Sequence, residues 1–201
     1  MINKKRRISV VILNYNGEKL LKKFLPSVIK YSDKTLSDIY VIDNDSQDGS
    51  IELLKDRFPD VKIIINSKNY GFAKGYNLGT INITSDYIVF LNNDVEVTSN
   101  WLTPMFNLMD NNKDIGTCQP KILSFNERKK FEYAGASGGY LDYLGYPFCR
   151  GRIFDFIEND ENQYDDKIEI FWSSGACFMM RNELFKKNNG FDESFFAHME
   201  E

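Results

Sequence analysis

At 201 residues, with 42% hydrophobic and 14% aromatic content, the chain can bury one sizeable core, and a single domain over residues 1–201 is expected. Lys and Arg number 25 against 29 Asp and Glu, so the formal charge of -4 provides no basic field and no nucleic-acid partner is expected. Cys118, Cys149 and Cys177 are widely spaced and lack a CxxC pair, which suits neither a disulfide framework nor a zinc site, and no apolar run approaches the roughly 20 residues of a membrane helix. A cytoplasmic setting follows from that cysteine usage. The basic run Lys4-Lys5-Arg6-Arg7 reads as a solvated tail, with contact to an anionic membrane surface as the alternative.

Residues 7–15, "RISVVILNY", form a β-branched apolar run ended by "NG", which predicts a buried parallel strand entering a loop. Leu20, Leu21, Phe24, Leu25 and Val28 then recur at helical spacing, and residues 38–44 are again strand-like. The cycle repeats. A helix near 48–58 has Asp48 or Ser50 as its cap, a third strand covers 61–66, a helix 71–83 and a fourth strand 86–93. Residues 99–112 supply another helix, with Ser99 or Asn100 as cap. The most polar stretch, 157–167, reads as an exposed loop.

Strands alternating with helices predict an α/β fold, a mostly parallel sheet with helices on both faces. Such sheets bind ligands beyond the carboxyl ends of their strands. This chain gathers polar residues at four successive ends: Asn14 and Asn16, Asp43 and Asp45, Asn66 and Asn69, then Asn92, Asn93 and Asp94. One such loop is explained by Asn and Asp as turn formers, but four at the same edge point to a site. "LNYNGEKLL" lacks the glycines of a dinucleotide fingerprint, and no P-loop string or G-x-S-x-G elbow occurs. With His198 as the sole histidine, histidine-dependent hydrolysis is also poorly supported. Nucleotide recognition through side chains, with a metal neutralising phosphates, is what remains.

"VVILNYNGEKLLKKFLPSV", "VIDNDSQDGS", "NYGFAKGYNLG", "YIVFLNNDVEV" and the later "SSGACFMMRNELFKKNNGFDESFFAHMEE" occur in an order and spacing that resemble family 2 glycosyltransferases of the GT-A fold, especially the rhamnosyltransferase-like branch. The resemblance implies a Rossmann-like domain that takes a sugar from a nucleoside-diphosphate sugar to a hydroxyl of a glycan or lipid-linked acceptor, with inversion, in bacterial cell-surface polysaccharide synthesis. It further implies peripheral association with the inner face of the membrane. In "NND", the counterpart of the family's DxD element, Asp94 is the ligand for Mg²⁺ or Mn²⁺, while Asn92 and Asn93 offer only neutral amides. Asp43 and Asp45 match the acids that meet base and ribose, and the backbone from Leu13 through Asn14 to Tyr15 completes the base pocket. Gly71 and Gly75 allow close backbone approach, Asn77 can hydrogen-bond, and Lys74 stands near a helix opening where phosphate is favoured.

Glu200 and Glu201 occupy the place of the family's catalytic acidic pair, and Glu201 is the expected general base. The resemblance places further helices after that pair, so the chain is expected to be truncated at its C-terminus. The competing readings are a GT-A module that binds nucleotide sugar without catalysis and, more remotely, a sugar nucleotidyltransferase.

Overall fold

The computed structural model describes residues 7–196. The predicted alternation is present as β1 (Ile8–Asn14), α1 (Glu18–Tyr31), β2 (Ser37–Asp43), α2 (Ser50–Arg57), β3 (Lys62–Ile65), α3 (Gly71–Thr80), β4 (Tyr87–Asn92) and α4 (Leu102–Asn111). Beyond these come β5 (Thr117–Cys118), β6 (Gly139–Leu141), β7 (Pro147–Cys149), β8 (Arg152–Ile153), β9 (Phe156–Ile157), β10 (Cys177–Arg181) and α5 (Asn182–Lys187).

The main sheet runs β3-β2-β1-β4-β10-β5, with the first four strands parallel and β10 antiparallel to both neighbours. Ile8, Val10 and Ile12 of β1 turn toward Leu21, Leu25 and Val28 of α1, while Val11 turns toward Ala73 and Tyr76 of α3. Period-two alternation between two cores is why the strand reads as a continuous apolar run. The chain passes from β1 outward to β2 and β3, then returns to place β4 on the other side of β1. That reversal opens a crevice at the carboxyl ends of β1 and β4. Tyr76 sits inside it, its hydroxyl accepting from Leu13 N–H at 3.2 Å and donating to the Leu91 carbonyl at 3.3 Å. With its phenol wholly buried, Tyr76 has its pKa driven well above the usual tyrosine value.

Several local expectations are revised. Arg7 is no solvated tail residue: it binds both oxygens of Asp110, at 2.9 and 2.8 Å, and Asp86 at 2.7 Å, with its guanidinium over Phe106. Neither Ser99 nor Asn100 caps α4, because Asn100 takes a left-handed φ of 60° and the helix starts after Trp101. Asp48 instead ties two helices together, accepting Ser50 N–H at 3.0 Å and Glu18 N–H at 2.9 Å. The helix expected to run to residue 83 ends at Thr80.

The second sheet, β6-β7-β8-β9, is an antiparallel meander with its own small core of Phe131, Ala136 and Cys149. Strands of two or three residues are too short to show alternation, so this element is not legible in the sequence. The polar stretch 157–167 does lie at the surface, yet Asp160 and Asp165 in it hold Lys121.

Candidate functional site

Asn14, at the end of β1 and 1% exposed, is the hub of the sheet's polar edge. Its Nδ2 donates to Asp43 Oδ2 at 3.0 Å and Ser50 Oγ at 3.0 Å, with Ser46 Oγ at 3.3 Å, and its Oδ1 accepts from Asn93 Nδ2 at 3.0 Å. The amide orientations follow from the chemistry. Asp43 can only accept, so Asn14 must turn its nitrogen there, which leaves its oxygen for Asn93 and forces Asn93 to donate. The Asn93 oxygen is then left facing away from that pair with no partner among the described residues. Gly17 makes the junction possible, since a Cβ there would fall on Asn14 Oδ1 and Asn93 Nδ2.

Asp43 is equally buried, accepting Ser46 N–H at 2.8 Å and Ser46 Oγ–H at 2.7 Å. Asp45, two residues on, is exposed on a left-handed turn with φ of 67°. The buried acid stiffens the loop that presents the exposed one. Asn16 reinforces the turn, its Oδ1 accepting Gln47 N–H at 2.7 Å. A second amide chain lies beside the first: Asn44 Oδ1 accepts from Asn66 at 2.9 Å, while its Nδ2 donates to Asn69 at 3.0 Å and to the Gly71 carbonyl at 2.9 Å.

Four of the sequence-predicted residues point elsewhere. Gly71 has φ of 75°, and the backbone that approaches it belongs to Phe196, whose carbonyl accepts Phe72 N–H at 2.7 Å. Gly75 makes room for Asn44 and Leu13. Lys74 pairs with Glu193 at 2.8 Å, and Asn77 holds the turn before it through Phe191 N–H and the Phe191 carbonyl, both at 2.9 Å. Gly71, Lys74 and Asn77 therefore dock the C-terminal segment, while Gly75 serves the packing of Asn44 against β1. Leu13 N–H is taken by Tyr76 and Asn14 is buried, so of the stretch from Leu13 to Tyr15 it is Tyr15, 48% exposed, that opens most to the surface.

Asn92 and Asp94 open onto a cleft of about 830 Å³. Its floor is Ser174 to Cys177, and its far wall is the segment 120–134 with Lys121, Arg128, Phe131 and Tyr133. That wall is latched over the β4–α4 loop by Arg128 and Glu96 at 2.6 Å. Phe125 of the same wall is clasped by the cations of Lys23 and Arg128, at 4.1 and 4.9 Å from its ring. Burial pushes the Cys118 and Cys177 thiols up to about 12, so neither offers a thiolate to the cleft at neutral pH.

No group of three or more His, Cys, Asp and Glu that could hold a metal occurs among the described residues. What the edge offers is the exposed Asp94 carboxylate, which lines the cleft together with Asn92. One hard carboxylate fits Mg²⁺ or Mn²⁺ when phosphate oxygens complete the shell. Glu200, Glu201 and His198 lie outside the described residues.

The mostly parallel sheet with its polar edge at the switch point is a GT-A fold, as its likeness to solved glycosyltransferases shows. The chain belongs to glycosyl transferase family 2, whose model matches residues 9–188. It is 23% identical over 209 residues to an N-acetylglucosaminyl-diphospho-decaprenol L-rhamnosyltransferase of Mycobacterium tuberculosis, covering 96% of this chain and 67% of that one. Among solved structures it is similar to GalNAc-T7 with UDP, GalNAc and Mn²⁺ (TM-score 0.68, 19% identity, 98% of this chain and 39% of that one). It is also similar to the mannosyltransferase PcManGT of Pyrobaculum calidifontis in complex with GDP-Man and Mn²⁺ (TM-score 0.63, 14% identity, 95% and 49%). The chain thus spans about two thirds of the rhamnosyltransferase and half or less of the two structures.

Proposed function

We propose that this glycosyltransferase transfers a sugar, with inversion, from a nucleoside-diphosphate sugar to a hydroxyl of a glycan or lipid-linked saccharide in the synthesis of a bacterial surface polysaccharide. The observation that carries this reading is the Asn14 hub, which ties the ends of β1, β2 and β4 together and leaves Asp45 and Asp94 as the outward carboxylates. The lipid-linked acceptor is supported by the name of the M. tuberculosis relative. We assign the protein peripheral contact with the cytoplasmic face as part of this reading; among the described residues no helix is long and apolar enough to cross a membrane.

Asp45 and the exposed Tyr15 would take ribose and base at the β1–β2 end of the edge. Asp94 would hold Mg²⁺ or Mn²⁺, which supplies positive charge against the leaving diphosphate. The acceptor oxygen attacks the anomeric carbon as the bond to the diphosphate breaks, and its proton passes to a carboxylate, which we assign to Glu201 with Glu200 beside it. The backbone bond between Phe196 and Phe72 brings the chain to the cleft mouth four residues before Glu200.

Thermal shift with a panel of nucleotide sugars, with and without Mn²⁺, tests the proposal. One donor should raise the melting temperature further when Mn²⁺ is present, and Asp94→Ala should remove that increment while leaving basal stability within about 0.5 kcal/mol, as expected for an exposed side chain. An Asp94→Ala variant with an unchanged Mn²⁺ increment would take Asp94 out of the site.

A further inference from the structure

A diphosphate brought to Asp94 carries more negative charge than that carboxylate and one divalent ion together offset, in a chain whose formal charge is already -4. A cation from the cleft itself is needed to balance it. Lys121, Arg128 and Lys130 are the cations on the far wall. Lys121 is held between Asp160 and Asp165, and Lys130 pairs with Glu127 on its own hairpin. Arg128 instead reaches across to the β4–α4 loop, where its Nη1 donates to Glu96 Oε1 at 2.6 Å. Glu96 lies two residues beyond Asp94, so the Cα atoms of the two acids are within about 7 Å of each other, and both side chains line the cleft.

The guanidinium is only partly used there. Its Nε and Nη2 have no hydrogen-bond partner among the described residues, and the side chain is 62% exposed. Lys23 lies over the other contact of the same corner, 4.1 Å from the Phe125 ring. Hydrogen bonding from Arg128, with the charge of Lys23 adding, holds the Glu96 carboxyl below its ordinary value, so at neutral pH two cations share one anion. An exposed pair of this kind adds little to stability, whereas a planar fork of N–H donors suits a phosphate. Releasing Glu96 does not release the wall, because Phe125 also packs edge-on against Phe24 of α1 at 5.1 Å. A donor laid from Tyr15 and Asp45 across the end of β4 carries its second phosphate toward this wall.

We propose that Arg128 is a diphosphate-binding residue, whose guanidinium exchanges Glu96 for the sugar-side phosphate when the donor enters. It stays on that phosphate as the bond to the anomeric carbon breaks and the electron pair passes to the diphosphate. Glu96 is the stand-in anion that holds Arg128 at the rim until then. The assignment rests on the reading that a nucleoside-diphosphate sugar binds at Asp94.

Calorimetric titration of UDP, GDP and dTDP with Mn²⁺, each beside its monophosphate, tests it on the parent, Arg128→Gln, Glu96→Gln and the double variant. The diphosphate that binds the parent should bind Arg128→Gln about tenfold more weakly, the loss of one charge-assisted contact, while the affinity for its monophosphate changes less than about twofold. Glu96→Gln should tighten diphosphate binding, and that gain should vanish in the double variant, since it acts through Arg128. Melting temperatures should stay close to the parent's, as expected for an exposed pair. Equal losses for mono- and diphosphate, a Glu96→Gln variant that gains nothing, or a gain that survives without Arg128 would overturn the assignment and leave the donor reading in place. If no diphosphate binds the parent, the donor reading falls and the assignment with it.

Discussion

Asn14 shows how one amide can decide a site. Its nitrogen is committed to Asp43 and Ser50 and its oxygen to Asn93, so all three strand ends that make the edge depend on it. The first amide of "NND" borders the cleft. The second, Asn93, is a positioning residue that donates to Asn14, and an Asp at that position would set a carboxylate against the Asn14 oxygen. Gly17→Ala tests the arrangement without touching any ligand group. The added methyl would press on Asn14 and Asn93 together, so the variant should lose about 1–3 kcal/mol in urea denaturation, as overpacked sites do, and should also show a smaller nucleotide-sugar shift. A shift of unchanged size at reduced stability would confine the contact to folding. Asn14, Asp43 and Asp94 are legible in the sequence because they end apolar runs. The ties of Gly71, Lys74 and Asn77 are not, because their partners Phe196 and Glu193 are more than a hundred residues away along the chain.

Among the elements, α4 and β10 are fixed to the sheet by charge as well as by packing. Arg181 donates to the carbonyls of Met109, Asn112 and Ile115, satisfying acceptors that the end of α4 leaves open, and touches the Tyr87 hydroxyl at 3.2 Å. Tyr87 hydrogen-bonds Asp110, which Arg7 grips with two bonds. Hydrogen bonds from Arg7, helped by Lys113, hold the Asp110 carboxyl well below the usual carboxylate range. A carboxyl depressed in the folded state stabilises it above the unfolded value of about 3.9, and that contribution is lost as pH falls through the lower folded value. Asp110→Asn should therefore lower the melting temperature at pH 7, and the gap from the parent should close progressively below about pH 4. Melting curves taken from pH 2 to 8 check this, and a gap independent of pH would mean that Asp110 acts through packing alone.

For the molecule as a whole, the joint between the sheet and the C-terminal segment is Phe191. Its ring lies 4.9 Å from Phe90, 5.1 Å from Phe185 and 5.7 Å from Phe72, so one residue links β4, α5 and α3. Phe191→Ala should cost about 3–5 kcal/mol in denaturant unfolding, the range for truncating a buried aromatic. Lys74→Ala, which removes a half-exposed ion pair from the same joint, should cost less than about 1 kcal/mol. Equal losses would show that the segment is held by charge rather than by its rings.

The α/β alternation, the parallel order and the loading of one sheet edge were determined by the sequence alone, because strand and helix periods and turn-forming residues are local properties of a chain. Tertiary structure decided the rest. It turned Asn93 toward Asn14, gave Gly71, Lys74 and Asn77 to the C-terminal segment, and made Arg7 a clamp. It also assembled β6 to β9 from strands too short to show a period. Each of these outcomes depends on which distant residue occupies the neighbouring space, and only the assembled sheet fixes that.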